Sequence, residues 1–214
     1  MSIAVKICGI TDFEALEAAI EGGADMVGFV FHPKSPRAIT PEDAAELAQI
    51  LPDDIAAVGL FVDADNGWLD TVLTHVRLDL IQCHGQETPE RVEAIRLEYG
   101  TPVMKAIGVA EAGDLDAAAA YLPVADRLLF DARPPRNATR PGGNAVTFDW
   151  TLLAGKSWPL PWMLAGGLTP ANVAEAIRIS GATSVDVSSG VESAPGRKDP
   201  ALIAAFIKAA KATP

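Results

Sequence analysis

Two residues suited to proton transfer end apolar segments of this sequence. Cys8 closes the run Ala4–Cys8, and Asp131 closes the run Arg127–Asp131. A thiolate can accept a proton, and a carboxyl group at the end of an apolar strand can donate one, so the two residues predict general acid–base chemistry. Two alternatives stay open. Cys8 could be a small core residue, because free cysteine is often buried, and Asp131 could anchor a loop.

The neighbours of Cys8 indicate which way its side chain faces. Side chains alternate along a strand, so Cys8 and Lys6 share one face. On the helix-facing side of a central strand, a lysine would be buried among apolar groups, so both residues should point into the interior of the fold. Cys83 differs, since it alternates with the polar residues Gln82 and His84 and is expected to face the helices as packing.

Further candidates follow other apolar segments. Arg37 ends a proline-rich turn that can present a guanidinium group to a carboxylate, although most loop arginines are simply solvated. Asp186 could pair with Lys6 if the first and last strands are neighbours. Glycine-rich turns late in the chain let backbone N–H groups approach a phosphate, the alternative being ordinary turn glycines. The predicted substrate-binding residues are Arg37, His84, Gly143, Gly166, Gly167, Asp186, Ser188, Ser189 and Gly190.

The predicted elements position these candidates. Predicted strands are Ala4–Cys8, Met26–Phe31, Ala56–Val62, Leu78–Cys83, Val103–Ile107, Arg127–Asp131, Trp162–Ala165 and Ser184–Ser188. Predicted helices are Asp12–Glu21, Pro41–Leu51, Trp68–His75, Pro89–Tyr99, Ala112–Tyr121, Phe148–Ala154, Pro170–Ile179 and Pro200–Lys211. A capping threonine before a proline supports three helix starts, at Thr40, Thr88 and Thr169. Eight strand–helix units in 214 residues favour an α/β fold, a single (β/α)8 TIM barrel of eight parallel strands over residues 1–214, rather than an open doubly wound sheet. Chemistry in such barrels sits at the carboxyl ends of the strands.

Composition and charge exclude several classes of partner. The net charge of −11 makes nucleic acid an unsuitable partner, since an acidic surface repels phosphate backbones. No apolar run is long enough for a membrane span, and the start of the chain lacks a signal-peptide pattern. Two cysteines and three scattered histidines give neither a disulfide framework nor metal-ligand spacing. We expect a cytoplasmic protein without metal or cofactor, and a monomer, because no helix face is unusually apolar.

Taken together, these residues resemble the phosphoribosylanthranilate isomerase family along nearly the whole chain. The matching segments are Lys6-Ile7-Cys8-Gly9-Ile10-Thr11, Gly28-Phe29-Val30-Phe31, Ser35-Pro36-Arg37, Gln82-Cys83-His84-Gly85, Phe130-Asp131, Gly142-Gly143, Phe148-Asp149-Trp150, Leu164-Ala165-Gly166-Gly167-Leu168 and Asp186-Val187-Ser188-Ser189-Gly190-Val191-Glu192. The sequence departs from the family in one turn. The family usually has Gly-Gly-Thr-Gly before Phe-Asp-Trp, and this chain has Gly142-Gly143-Asn144-Ala145.

The resemblance implies an Amadori rearrangement of N-(5-phosphoribosyl)anthranilate, a small phosphorylated substrate, with no cofactor. It implies that Asp131 is the general acid that opens the furanose ring and that Cys8 is the general base that removes the proton at C2. Arg37 would hold the anthranilate carboxylate. The rival functions are another phosphosugar isomerase or epimerase barrel, and a non-catalytic barrel that binds a phosphorylated metabolite. Such epimerases usually need metal-binding histidines, and a binding barrel has no need for both Cys8 and Asp131.

Overall fold

The strands form from short apolar runs that are rich in β-branched and aromatic residues and are buried on both faces. They make a closed parallel barrel in the computed structural model of the chain. The structure describes residues 3–133 and 147–213. The eight strands pair in chain order, and β8 pairs with β1. They are β1 (Ala4–Cys8), β2 (Met26–Val30), β3 (Ala56–Phe61), β4 (Leu80–Cys83), β5 (Val103–Val109), β6 (Arg127–Ala132), β7 (Trp162–Leu164) and β8 (Ser184–Val187). The predicted fold class is confirmed, and the predicted strand bounds differ from these by at most two residues.

Helices connect the strands and cover the outside of the barrel. The α-helices are α1 (Phe13–Gly22), α2 (Pro41–Ala48), α3 (Asn66–His75), α4 (Pro89–Tyr99), α5 (Val173–Ser180) and α6 (Pro200–Lys211). The predicted helix Ala112–Tyr121 is a 3-10 helix with the same bounds, and the predicted helix Phe148–Ala154 is a shorter 3-10 helix, Trp150–Leu153. In the first of these, Leu115 and Ala118 are the buried residues, and their three-residue spacing matches three residues per turn.

Two of the three predicted threonine caps are confirmed. Thr40 accepts a hydrogen bond from the backbone N–H of the third helical residue of α2, and Thr88 caps α4 in the same way. The prediction for Thr169 is wrong, because α5 begins three residues later, after the N-cap Asn172. The side chain of Asn172 accepts instead from the backbone N–H of Thr169, so it closes the turn before the helix rather than the helix itself.

The alternation of side chains divides the strands into an inner and an outer set. The inner set fills the lower barrel with a packed layer of mainly aliphatic and methionine side chains: Met26, Val58, Leu80, Met104, Ala106, Leu129, Met163 and Ala165. Other inner positions carry Lys6, Cys8, Gln82 and Asp186, all of which are buried. The barrel interior is therefore a packed core that includes a few polar groups, and Cys8 and Asp131 lie at the carboxyl ends of their strands.

A short hairpin follows β8 that the sequence did not predict. After a 3-10 helix at Ser189–Val191, strands β9 (Glu192–Ala194) and β10 (Arg197–Lys198) pair antiparallel before α6 begins. Within the described residues, no helix combines the length and the apolar character that a membrane span requires. The glycine turn at Gly143, including Asn144 and Ala145, lies outside the residues that the structure describes.

Candidate active site

A buried ion pair joins the first and last strands beneath Cys8. Lys6 and Asp186 are register partners in the β1–β8 pairing, and Lys6 Nζ donates to Asp186 Oδ1 at 2.8 Å. The side chain of Lys6 is completely buried. Burial, the largest single influence, lowers its pKa, but the Asp186 carboxylate and Cys8 together raise the pKa above its ordinary value. The predicted pairing and the predicted inward orientation of Lys6 are both confirmed.

Cys8 lies above this pair, with a small glycine beside it. A Cβ added to Gly28 on β2 would come within 2.9 Å of Cys8 Sγ and 3.2 Å of Lys6 Nζ, so glycine leaves the space that both groups occupy. Burial raises the pKa of the Cys8 thiol, whereas the positive charge of Lys6 lowers it and the Asp186 carboxylate raises it. Lys198, from β10, also lowers the pKa of Cys8. Opposing effects therefore act on the pKa of this thiol, and burial is the largest of them.

Asp131 points into the mouth of the barrel, where His84 holds one of its oxygens. His84 Nε2 lies 3.1 Å from Asp131 Oδ2, and His84 Nδ1 lies 2.8 Å from Gln82 Nε2. If the amide nitrogen of Gln82 donates to Nδ1, then Nε2 carries the proton and donates to the carboxylate; this tautomer follows from the hydrogen-bond network. The other oxygen, Oδ1, faces the turn after β7, and a Cβ on Gly166 would lie 3.0 Å from it.

Asp131 and His84 line a cavity of about 430 Å³ at the barrel mouth. The loop that carries His84 is fixed from below by a second buried pair, because Lys105 Nζ donates to Glu87 Oε2 at 2.6 Å and to the carbonyl of Gly85 at 2.7 Å. Neither residue of this pair was among the predicted site residues. The signal was present, since Lys105 interrupts an apolar strand and a buried lysine requires a partner.

Arg37 is nearly buried and bound to a carboxylate that sequence analysis did not consider. Its Nε and Nη2 donate to the two oxygens of Glu192 at 2.6 and 2.8 Å, a bidentate pair. The side chain also runs over Gly9, where a Cβ would lie 2.7 Å from Arg37 Cδ. Because Gly9 follows Cys8 directly, the guanidinium group is held beside the candidate base. The predicted contact of Arg37 with a substrate carboxylate stays a prediction.

The glycine turns after β7 and β8 approach each other closely. Gly166 and Gly167 have φ values of 88° and 64°, a left-handed conformation that favours glycine. A Cβ on Gly190 would collide with the carbonyl oxygen of Leu168, so the two turns meet through their backbones. Gly190 itself lies in the 3-10 helix Ser189–Val191. The structure thus brings together Gly166, Gly167, Ser189 and Gly190, and their predicted contact with phosphate stays a prediction.

Cys83 and Cys8 lie in different environments. Cys83 packs in the outer core with Phe61 and Ile81, between the barrel and its helices, as predicted. Cys8 belongs instead to an inner cluster with Val30 and Leu60. Burial raises the pKa of Cys83 to about 12. Of the two thiols, only Cys8 is placed at the carboxyl end of the barrel's interior.

Comparison with known proteins identifies the same family along the whole chain. The model of the family described as N-(5'-phosphoribosyl)anthranilate (PRA) isomerase matches residues 5–209. The N-(5'-phosphoribosyl)anthranilate isomerase of Paramagnetospirillum magneticum is 70% identical over 99% of this chain and 98% of its own. A crystal structure of the phosphoribosyl anthranilate isomerase of Thermotoga maritima has a TM-score of 0.87 at 40% identity, with 98% of each chain covered.

Two further crystal structures resemble this chain. One is a phosphoribosyl anthranilate isomerase in complex with reduced 1-(o-carboxyphenylamino)-1-deoxyribulose 5-phosphate, with a TM-score of 0.82, 38% identity and 98% of each chain covered. The other contains monomers generated from the dimeric enzyme of Thermotoga maritima, with a TM-score of 0.81, 39% identity and the same coverage. The family that the motifs resembled is the family that these comparisons find.

Proposed function

The chain belongs to the N-(5'-phosphoribosyl)anthranilate isomerase family, and we propose that Cys8 and Asp131 are the base and the acid with which it carries out that family's reaction. The reaction converts N-(5'-phosphoribosyl)anthranilate into 1-(2-carboxyphenylamino)-1-deoxyribulose 5-phosphate, an Amadori rearrangement in tryptophan biosynthesis. It needs one acid and one base and no redox step.

Asp131 acts first, as the general acid. Its carboxyl group gives a proton to the furanose ring oxygen, the bond between C1 and that oxygen breaks, and the nitrogen lone pair forms the Schiff base. The bond from His84 Nε2 to Asp131 Oδ2 at 3.1 Å supports this role, because it holds one oxygen and leaves Oδ1 to carry the proton. A carboxyl group that does not have to reorient meets the geometric demand of acid catalysis.

Cys8 acts second, as the general base. Its thiolate removes the proton from C2, the electrons of that bond form the carbon–carbon double bond of the enolamine, and the nitrogen becomes neutral. The enolamine then tautomerises to the ketone. The two groups lie on strands β1 and β6, which are not neighbours, so they flank the mouth and can reach different atoms of one sugar. The placement of Cys8 and Asp131 on this one mouth is the observation that carries the proposal.

Four of the other predicted residues bind the two anionic ends of the substrate. The turns at Gly167, Ser189 and Gly190 supply backbone N–H groups to the phosphate, as glycine turns at the last two strand ends of such barrels often do. Arg37 receives the anthranilate carboxylate with the N–H groups that do not bind Glu192. The product analogue bound in the solved relative likewise carries a phosphate group and a carboxyphenylamino group, which supports both contacts.

Turnover of phosphoribosylanthranilate generated in situ, followed by fluorescence, tests the proposal. Wild type should isomerise it, and Cys8→Ala should lose nearly all turnover while remaining folded. Asp131→Asn should lower kcat by about a hundredfold or more and keep the affinity for a product analogue within about tenfold. Cys83→Ala is the matched control: it should lose about 1–2 kcal/mol of stability and keep its chemistry. Normal turnover by Cys8→Ala or Asp131→Asn would refute the corresponding assignment.

The proposal extends to domain organisation, location, oligomeric state and partners. We propose that residues 1–214 work as one domain, in the cytoplasm, as a monomer, with a small phosphorylated substrate and no nucleic-acid or membrane partner. The acidic net charge of −11 and the absence of a membrane-spanning helix among residues 3–133 and 147–213 support these choices.

A further inference from the structure

The hairpin after β8 carries a buried lysine that the proposed chemistry does not use. The side chain of Lys198 has no solvent exposure. Its Nζ donates to Glu192 Oε1 at 2.9 Å and to the backbone carbonyl of Ser188 at 3.0 Å, and it lies 3.4 Å from Ser188 Oγ. An ammonium group is rarely buried this completely without a role, because its removal from water is costly.

Glu192 connects this lysine to Arg37. One carboxylate oxygen, Oε1, accepts from both Lys198 Nζ and Arg37 Nε, and the other, Oε2, accepts from Arg37 Nη2 and from the backbone N–H of Gly196. Four donors therefore converge on one buried carboxylate. Burial would raise the pKa of Glu192, but the bonds from Arg37 and Lys198 lower it overall, so the carboxylate stays ionised.

The hairpin also touches the turn that carries Arg37. Gly196 has a φ of 82°, and a Cβ there would collide with the carbonyl oxygen of Pro36. Backbone contact at Gly196 and the ion pairs at Glu192 thus fix the Arg37 turn from two points. At the same time Lys198 is tied to Ser188, which directly follows β8, the strand that pairs with β1 and so lies beside Cys8.

Resting on the proposed function, we infer that Lys198 is a positioning residue for the reaction: through Glu192 it holds Arg37 at the substrate carboxylate, and it keeps a buried positive charge close to Cys8. The charged groups that face Cys8 are Lys6 on β1, Asp186 on β8 and Lys198 on β10, and Arg37 and Glu192 lie next to them. These five groups carry three positive and two negative charges, so the surplus is positive. A positive surplus favours the thiolate over the thiol and also favours an anionic substrate.

The experiment measures the ionisation of Cys8 directly in the free protein. The ultraviolet absorbance of the thiolate is followed against pH, with each variant's Cys8→Ala counterpart subtracted as a blank. Lys198→Met should move the midpoint to higher pH by about one unit, a tenfold loss of thiolate at a fixed lower pH. Lys198→Arg, which keeps the charge, should stay near wild type. Lys208→Met, the same change on the exposed side of α6, is the control and should leave the midpoint in place.

Kinetics separate positioning from folding. Lys198→Met should raise KM, because Glu192 loses one of the donors that hold it against Arg37. It should also lower kcat at neutral pH, with kcat partly restored as the pH rises. If Lys198→Met does not fold, Lys198→Gln decides, because its amide still donates to Ser188 and Glu192 but carries no charge. An unchanged midpoint in whichever of these variants folds overturns the inference. A wild-type protein that titrates as expected but does not isomerise the substrate would instead refute the proposed function.

Discussion

The proposed base, Cys8, is buried, and burial works against a base that must lose its proton. Burial is the largest influence on the pKa of the thiol and raises it, while Lys6 and Lys198 lower it. The two lysines therefore do at Cys8 what neighbouring cations generally do for reactive cysteines. The same lysines are paired with Asp186 and Glu192, so each positive charge is itself stabilised in the low-dielectric interior.

The pH dependence of the reaction should show this balance. Cys8 must be deprotonated to act, and its pKa lies above the ordinary value, so kcat/KM should rise with pH and reach its plateau only above the ordinary thiol pKa of about 8.5. Steady-state rates across a pH series, with Cys83→Ala as the control, provide the measurement. The control should give the same rising limb, because Cys83 lies in the outer core. A rate that is flat between neutral pH and pH 9 would contradict Cys8 as the base.

The strands and most helices could be predicted because their signals are local. Apolar runs bounded by turns predicted eight strands, and the period-two argument placed Lys6 and Asp186 on facing positions of β1 and β8. The hairpin of β9 and β10 was not predicted, because its strands of three and two residues are too short for an alternating apolar pattern, although Pro195-Gly196 is a turn signal. Glu192 ties it to the rest of the barrel through Arg37 and binds Lys198 within the hairpin.

Most site contacts between distant segments could not be predicted from the sequence. Lys6 and Asp186 are the exception, because closure of the barrel makes β1 and β8 neighbours. Arg37 and Glu192 are 155 positions apart, and His84 and Asp131 are 47 apart. Alternation predicts which face a side chain occupies, but not which of several polar groups at the mouth it will meet. The types of residue at the strand ends were therefore predictable. The bidentate pair of Arg37 with Glu192 and the contact of His84 with Asp131 become visible only in the folded barrel.

A buried ion pair links the side chains of β1 and β8, in addition to their backbone pairing, and its loss should be strongly destabilising. Lys6→Met leaves the Asp186 carboxylate in the barrel without its partner, which should cost about 3–5 kcal/mol of unfolding free energy. The double variant Lys6→Met/Asp186→Leu should recover much of this, because no charge stays buried. Lys211→Met, which breaks the partly exposed pair with Asp25, should cost at most about 1 kcal/mol. Urea unfolding measures all three, and equal costs for Lys6→Met and Lys211→Met would contradict the argument.

The turns after β7 and β8 meet without room for a side chain. Gly190→Ala should push the two turns apart, because its Cβ would collide with the carbonyl oxygen of Leu168. If these turns hold the phosphate, KM should rise by much more than kcat falls, since phosphate binding is largely shared by ground and transition states. Gly67→Ala, on α3, is a steric control, because a Cβ there meets only Asp65 Oδ1 at an ordinary contact distance of 3.6 Å. A fall in kcat alone for Gly190→Ala would place the phosphate elsewhere.

On the scale of the whole molecule, charge is distributed unevenly. The chain carries a net charge of −11, yet three of its buried cationic groups, on Lys6, Arg37 and Lys198, cluster at one end of the barrel. We therefore expect an anionic substrate to be bound by a local positive site within an acidic protein. The same negative net charge makes copies of the chain repel each other, which opposes their association.

The oligomeric state tests whether copies of the chain associate. Among the described residues, the large apolar side chains with strong exposure are Phe13 on α1, Ile50 just after α2 and Leu97 on α4. These lie on three different segments around the outside of the barrel rather than on one helix face, and a stable interface needs a contiguous apolar patch. We therefore expect light scattering to give the monomer mass of 22.4 kDa at every concentration, including at high salt, where charge repulsion is screened. Twice that mass at micromolar concentration would contradict the expectation and would align this chain with the dimeric enzyme of Thermotoga maritima.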